Sequence, residues 1–278
     1  NGQEKLICQE IKEVSMDNKE ATEKLEQAFQ KWITSDDFRK IEKFIRVFHN
    51  YSFGNIILIF MQKQDATRVA GFNAWKKVNR FVKKGEKGIM VIAPCTYTYR
   101  KEGDDGVEQV MRGVKGFKPA YVFDISQTEG EPVPEEPEVV ITDEYEGLQR
   151  IMESVENMGY TIEFYEESHG EHGYTNKKTK IIHVHNNEAT GQQASTIVHE
   201  WAHLQVQGMD RAEEEIVVQT ASYFIMARLG LDTSWYTAQY VQSWAQSKNW
   251  RDVSKLFSAS DKLSKKFFDE SGVLNVLV

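Results

Sequence analysis

Residues 199–203 read His-Glu-Trp-Ala-His. Two imidazoles at i and i+4 are neighbours on one helix face, so both can reach a single divalent ion. The carboxylate of Glu200, beside the first of them, would then stand next to water held at that ion. The spacing points to zinc as cofactor, with His199 and His203 as ligands and Glu200 as general base. Helical geometry adds a check. At about 100° per residue, Ala194, Ile197, Val198, Trp201, Ala202 and Gln205 gather on one side, and all but the last are apolar. His199 and His203 fall on the opposite side with Gln192 and Thr196. That position argues against core histidines and leaves a metal site or two idle surface histidines.

A catalytic zinc needs a third protein ligand and an open position for water. The next helical stretch, 212–229, is apolar almost all round, which is the pattern of a buried helix. Glu215, Gln219 and Ser222 interrupt it as one polar stripe. A buried carboxylate is costly unless it is paired or metal-bound. Glu215 is therefore the candidate third ligand, with Glu214 as the alternative, and Gln219 a partner that orients a ligand. A helix-start role in the dipole field would also account for Glu215. Tyr174 and His172, in an expected turn at 172–176, are candidates to stabilise an oxyanion, or are ordinary turn residues. Strand 180–184 is expected to lie along the substrate and pair with an extended peptide. His183 and His185 share one strand face and read as structural.

A second constellation lies far upstream. Lys76, Lys77, Arg80, Lys83, Lys84 and Lys87 place six basic residues within twelve, opposed only by Glu86. Trp75 adjoins the run, and Phe72, Phe81, Tyr97, Tyr99, Phe117, Tyr121 and Phe123 surround it. Basic charge follows phosphates and aromatic faces stack unpaired bases, so single-stranded DNA is the expected partner of Trp75 and the six basic residues. A solvated charge run over core aromatics reads equally well from composition alone.

The elements that position these groups follow from patterning. The 278 residues are 40% hydrophobic, enough for one large or two modest cores. No apolar run approaches the roughly 18 residues that a membrane span needs, so no membrane partner is expected. The chain opens on Asn1-Gly2 without an initiator methionine, the mark of a trimmed chain, and shows no signal pattern. Two distant cysteines, Cys8 and Cys95, make a disulfide framework improbable and a reducing cytoplasm the natural setting. Charge divides unevenly: residues 1–127 carry 22 basic and 17 acidic side chains, the remainder 12 and 25. Two domains with different partners would divide this way. Three of the five prolines and several acids fall in 126–137, expected to be an extended linker. The fold class expected is α+β. Domain 1–125 would hold helices (17–33, 36–49, 53–64, 71–78) and a small antiparallel sheet, with strands at 88–93, 96–100 and 107–123 about an acidic turn at 102–106. The linker would cover 126–140. Domain 141–278 would hold a helix at 143–158, strands at 160–165 and 180–184, then helices near 189–206, 212–229, 235–247 and 250–270.

The segments Tyr51-Ser-Phe-Gly-Asn55, Ala66-Thr-x-Val-Ala-Gly-Phe72, Trp75, Val82-Lys-Lys-Gly-Glu-Lys-Gly88 and Ala93-Pro94 resemble the N-terminal domain of ArdC-type antirestriction proteins over about residues 20–125. The resemblance implies binding of single-stranded DNA. The C-terminal half is similar to the zincin-like metallopeptidase domain that accompanies it, and more distantly to ImmA/IrrE peptidases. Glu214-Glu-Ile-Val-Val-Gln219 matches that family's Glu-Glu-x-x-Ala-Glu segment, which places the third ligand at Glu215, while Gln219 departs from the second Glu. Leu229-Gly-Leu-Asp232 and Tyr240-x-x-x-Trp244 also fit. What is implied is a mobile-element, conjugation-associated antirestriction protein that protects incoming DNA. Two other classes remain open: a regulatory zinc endopeptidase with a repressor or other protein substrate, and a DNA-binding protein whose zinc is structural.

Overall fold

The computed structural model describes residues 22–33, 40–102, 108–133, 144–166, 171–231, 242–246 and 248–273. Most of the acidic turn at 102–106, the end of the Pro-rich stretch, Asp232, Tyr240 and most of the helix expected at 235–247 lie outside them. The fold is α+β, and it divides into two compact units. One lies within Asn1–Lys31 and Ile57–Val133, the other within Trp32–Ile56 and Pro134–Val278.

The helices begin with α1 (22–33), α2 (Ile41–Val47) and α3 (Phe53–Gln62). In the first unit follow β1 (Val69–Gly71), α4 (Phe72–Lys77), β2 (Arg80–Val82), β3 (Ile89–Glu102), β4 (Glu108–Asp124) and β5 (Thr128–Gly130). Strands β1-β4-β3 form one antiparallel sheet in that order, and β2-β5 a second. The two strands expected at 88–93 and 96–100 are one 14-residue strand, with a register shift at Cys95/Thr96. Pro94 lies inside this strand. It is tolerated because β3 is an edge strand, where a missing N–H costs no ladder hydrogen bond. Gln62 ties helix to sheet: its amide donates to the Leu58 and Met90 carbonyls, and its oxygen accepts from Met90 N–H.

Residues 126–130, expected to open the linker, are structured. Ser126 and Gln127 lie in a 3-10 turn and Thr128–Gly130 pairs with β2. The cause is Asp124, which is fully buried. One carboxylate oxygen accepts from Thr67 N–H at 2.8 Å and Arg68 N–H at 3.0 Å, and the other from Ser126 N–H at 3.0 Å. Gln127 returns the contact by accepting from Asp124 N–H.

The second unit adds α5 (Glu144–Asn157), β6 (Thr161–Tyr165), β7 (Gly173–Asn176), β8 (Ile181–His185), α6 (Thr190–Gln205), α7 (Arg211–Leu229), α8 (242–246) and α9 (Trp250–Ser271). Residues 32–56, grouped with the N-terminal domain by sequence, belong to this unit. Trp32 packs edge-on against Phe53 and Phe257, and Gln242 and Gln246 both donate to the Ile33 carbonyl. The sheet order is β6-β8-β7, parallel on one side of β8 and antiparallel on the other. Residues 173–176, expected as a turn, are therefore a strand. Strand β8 is hydrogen-bonded on both sides and has no edge left for a substrate; the edge strands are β6 and β7, of which β7 passes over α6. Ile182 and Val184 are buried with Leu148, Ile151 and Val155 of α5, the apolar face of α6, most of α7, and Phe267 of α9.

Asp124 gives the first unit a pH-dependent element. Burial pushes its carboxyl up, but the backbone N–H donors of Arg68, Ser126 and Thr67 outweigh that and hold it below the ordinary carboxylate range. Its contribution is thus present above the unfolded value of about 3.9 and lost as pH falls through the lowered folded value. Asp124→Ala is expected to cost about 3 kcal/mol, because three donors lose a charged acceptor. Urea titrations of both proteins at pH 7 and pH 3 check this, with a narrower gap at the lower pH.

Candidate functional site

Helix α6 carries His199 and His203, and α7 brings Glu215 across an eleven-residue connection. That connection is short because it turns tightly. Gly208 takes a positive φ of 75°, and Asp210 caps α7 by accepting from Ala212 and Glu213 N–H. The three donors meet. His199 Nε2 and His203 Nε2 are 3.2 Å apart, and Glu215 oxygens lie 3.6 Å from His199 Nε2 and 3.5 Å from His203 Nε2. Tetrahedral ligands about 2.0–2.1 Å from a metal ion stand about 3.3 Å from one another, so the spacing fits such an ion. Among the described residues this is the one cluster of three or more His, Cys, Asp or Glu side chains that could hold a metal.

Electrostatics follow the same arrangement. Burial pulls His199 down to about 4, against Glu215 and a hydrogen bond to the Gln219 amide oxygen, both of which favour the charged ring. Gln219, expected as an orienting residue, thus touches a candidate ligand. Burial also pulls His203 down, but hydrogen bonds to Glu215 and Glu214 outweigh it and raise its pKa. Glu215 is held low by its hydrogen bond to His203. Glu200 is 8% exposed, and burial pushes its carboxyl up to about 7, with His203 pulling the other way. Glu214, the alternative third ligand, points instead to the far nitrogen of His203, with Nδ1 at 2.9 Å.

Strand β7 crosses close over this helix because residue 173 is glycine. A Cβ there would stand 2.5 Å from Thr196 Cγ2, 2.6 Å from the His183 carbonyl oxygen and 3.6 Å from Glu200 Cγ. The strand period then turns Tyr174 away from the helix. Tyr174 is 47% exposed and stacks on His183, its cross-strand neighbour, with ring centroids 4.4 Å apart. The oxyanion role expected for Tyr174 does not fit this placement, because the turn that would have aimed it at the site is a strand. His172 is also committed, its Nδ1 held 2.8 Å from Glu188.

Residues 11–123 match the family described as the N-terminal domain of anti-restriction factor ArdC. Across 80% of this chain the fold is similar to the metal-free crystal structure of the antirestriction protein ArdC from plasmid R388, with 85% of that chain covered, 21% identity and a TM-score of 0.51. Residues 11–123 thus form an ArdC-type N-terminal domain, and the fold as a whole is that of the R388 protein. The Mn(II)-bound R388 structure matches at 20% identity and TM-score 0.50, over 80% of this chain and 89% of that one. An uncharacterized Bacillus anthracis protein is 25% identical over 291 residues, covering 87% of this chain and 49% of its own length. The chain therefore spans about half the length of the curated relative it matches.

Within the ArdC-type N-terminal domain, the basic run divides by what each side chain touches. Trp75 is 3% exposed and its indole N–H donates to the Phe123 carbonyl, so it has no face free for a base. Arg80 spends its guanidinium on Thr128 Oγ1 and the carbonyls of Thr128 and Glu131, joining β2 to β5. Lys83 donates to the Ser126 carbonyl. Lys76, Lys77, Lys84 and Lys87 are exposed, and their ammonium groups have no partner among the described residues. The aromatic faces open to solvent are others: Phe72, Phe81, Phe117 and Tyr121 are each about half exposed. Trp75 stood out in the sequence because it adjoins the basic run. The alternation of Phe117 and Tyr121 along β4 was the available signal for exposure.

Gly173→Ala tests how closely β7 must approach α6. The added methyl meets a backbone oxygen that cannot swing away, so a loss of about 1–3 kcal/mol is expected. Thermal melts of the two proteins measure it, and an unchanged midpoint contradicts the close approach.

Proposed function

We propose that this ArdC-type chain is an antirestriction protein of mobile DNA that binds single-stranded DNA through its first unit and carries a zincin-like, zinc-dependent peptidase site in its second. The observation that carries the catalytic half is the convergence of His199, His203 and Glu215 at 3.2–3.6 Å beside Glu200. Two imidazoles and one carboxylate suit Zn2+ and also accept Mn2+, the ion in the related R388 structure. Bound there, the ion supplies Lewis acidity that acidifies water and polarises a carbonyl. Glu200 takes a proton from the attacking water and delivers it to the leaving amine. A carboxyl pushed up to about 7 suits both transfers, and a cation beside it lowers that value somewhat. A peptide is the favoured substrate because β7, an edge strand, runs past Glu200 at Gly173. An extended chain can pair with such an edge.

For the first unit, the family match, the unpaired ammonium groups of Lys76, Lys77, Lys84 and Lys87, and the exposed rings of Phe72, Phe117 and Tyr121 support single-stranded DNA. No helix among the described residues is long and apolar enough to cross a membrane.

Two measurements test the two halves separately. With a quenched-fluorescent peptide library, zinc-loaded protein is expected to cleave, and Glu200→Gln to lose about 10²-fold or more at equal zinc content. Absence of cleavage by the zinc-loaded wild type removes the peptidase and leaves a metal-stabilised fold. With an oligo-dT probe, neutralising the four lysines together should lower the log–log salt slope by about 3, at about 0.7 per phosphate. Phe117→Ala and Tyr121→Ala should each cost about 1–3 kcal/mol of affinity at an unchanged slope. Identical slopes for the wild type and the lysine variant contradict this footprint.

A further inference from the structure

We propose that Glu214 and Lys177 are positioning residues of the metal centre, fixing the ring of His203 and the connection that delivers Glu215 to it. The inference rests on the metal reading above. Consecutive residues of α7 grip opposite edges of one imidazole: Glu214 Oε1 is 2.9 Å from Nδ1, and Glu215 Oε2 is 3.5 Å from Nε2. An ionised carboxylate only accepts, so in the neutral ring the hydrogen sits on Nδ1 and the Nε2 lone pair faces the point shared with His199 and Glu215. Neighbouring helix positions differ by about 100° in direction, so Glu214 and Glu215 cannot both serve as ligands from one side. Their division of labour around His203 uses that difference.

Lys177 secures the arrangement from a third element. It lies in the turn after β7, and its ammonium donates to Glu214 Oε1 at 2.9 Å and to the Val206 carbonyl at 3.0 Å. Val206 ends α6, where a cation also meets the negative end of the helix dipole. One side chain thus ties the strand passing over Glu200, the end of the helix that bears both histidines, and the first turn of the helix that bears Glu215. Lys177 is about half exposed, so its ion pair alone adds little stability. Its effect is on geometry: the short α6–α7 connection is held where Glu215 meets the two rings.

The test compares wild type with Glu214→Leu, Glu214→Gln and Lys177→Met. Zinc affinity is read by competition with a chromophoric chelator, and the His203 tautomer by nitrogen-15 NMR of the metal-free proteins at an alkaline pH where the ring is neutral. Glu214→Leu is expected to weaken zinc binding about 10–100-fold and to turn a single Nδ1–H tautomer into a mixture. Glu214→Gln, whose amide oxygen still accepts from Nδ1–H, should keep the tautomer and lose less affinity. Lys177→Met should fall between the wild type and Glu214→Leu, and with Glu214→Gln it covers the case in which the leucine variant does not fold. Wild-type affinity and tautomer in Glu214→Leu, or in both milder variants if it does not fold, overturn the proposal. A wild type that binds no zinc yet keeps an ordered Nδ1–H tautomer that Glu214→Leu disorders overturns the metal reading and leaves the orienting contact standing.

Discussion

Two imidazole nitrogens and a carboxylate are turned toward one point from two helices, and the second unit is organised around keeping them there. At 3.2 Å, the facing nitrogens of His199 and His203 repel as bare lone pairs and are reconciled by a cation or a shared proton between them. The apolar face of α6 sinks into the core with Trp201 against Phe267, which sets the rotation of the helix and hence the direction of both rings. Helix α7 is mostly buried from Ile216 to Leu229, which fixes the backbone from which Glu215, itself partly exposed in the first turn, reaches the two rings. The tight turn at Gly208 and the Asp210 cap set where α7 begins.

The first unit depends on a different contact with the same logic. Asp124 is a buried charge satisfied by backbone donors, and its three acceptor contacts join the start of β1 to the end of β4. With that corner fixed, Gln127 and Thr128 turn the chain back so that β5 can meet β2. Arg80 and Lys83 complete the same corner, which is why two members of a conspicuous basic run are structural. The remaining lysines are left to solvent and give the surface its charge.

Much of the metal cluster was legible in the sequence because its signals are local. An i,i+4 histidine pair opposite an apolar stripe, and one carboxylate on an otherwise apolar helix, are statements about single helices. The Glu214 and Glu215 choice was harder, since neighbouring acids share composition and differ only in direction. Non-local facts were the ones missed. The stripes at 25–48 announce buried faces without naming what covers them, so the packing of Trp32 with Phe257 was invisible. The His-Gly-Tyr-Thr-Asn segment carries turn residues, yet Gly173 serves close approach to α6, and the resulting strand reverses the expected direction of Tyr174. Trp75 looked like a stacking residue because aromatic type does not reveal which ring is inside.

The account stands most directly on what ion the second unit holds and through which atoms. Crystals of the protein loaded with zinc, with diffraction recorded on either side of the zinc absorption edge, decide it. The account predicts one anomalous peak bonded to His199 Nε2, His203 Nε2 and a Glu215 oxygen at about 2.0–2.2 Å. A zinc-loaded crystal with no peak at that point, or with a peak held by other side chains, contradicts it.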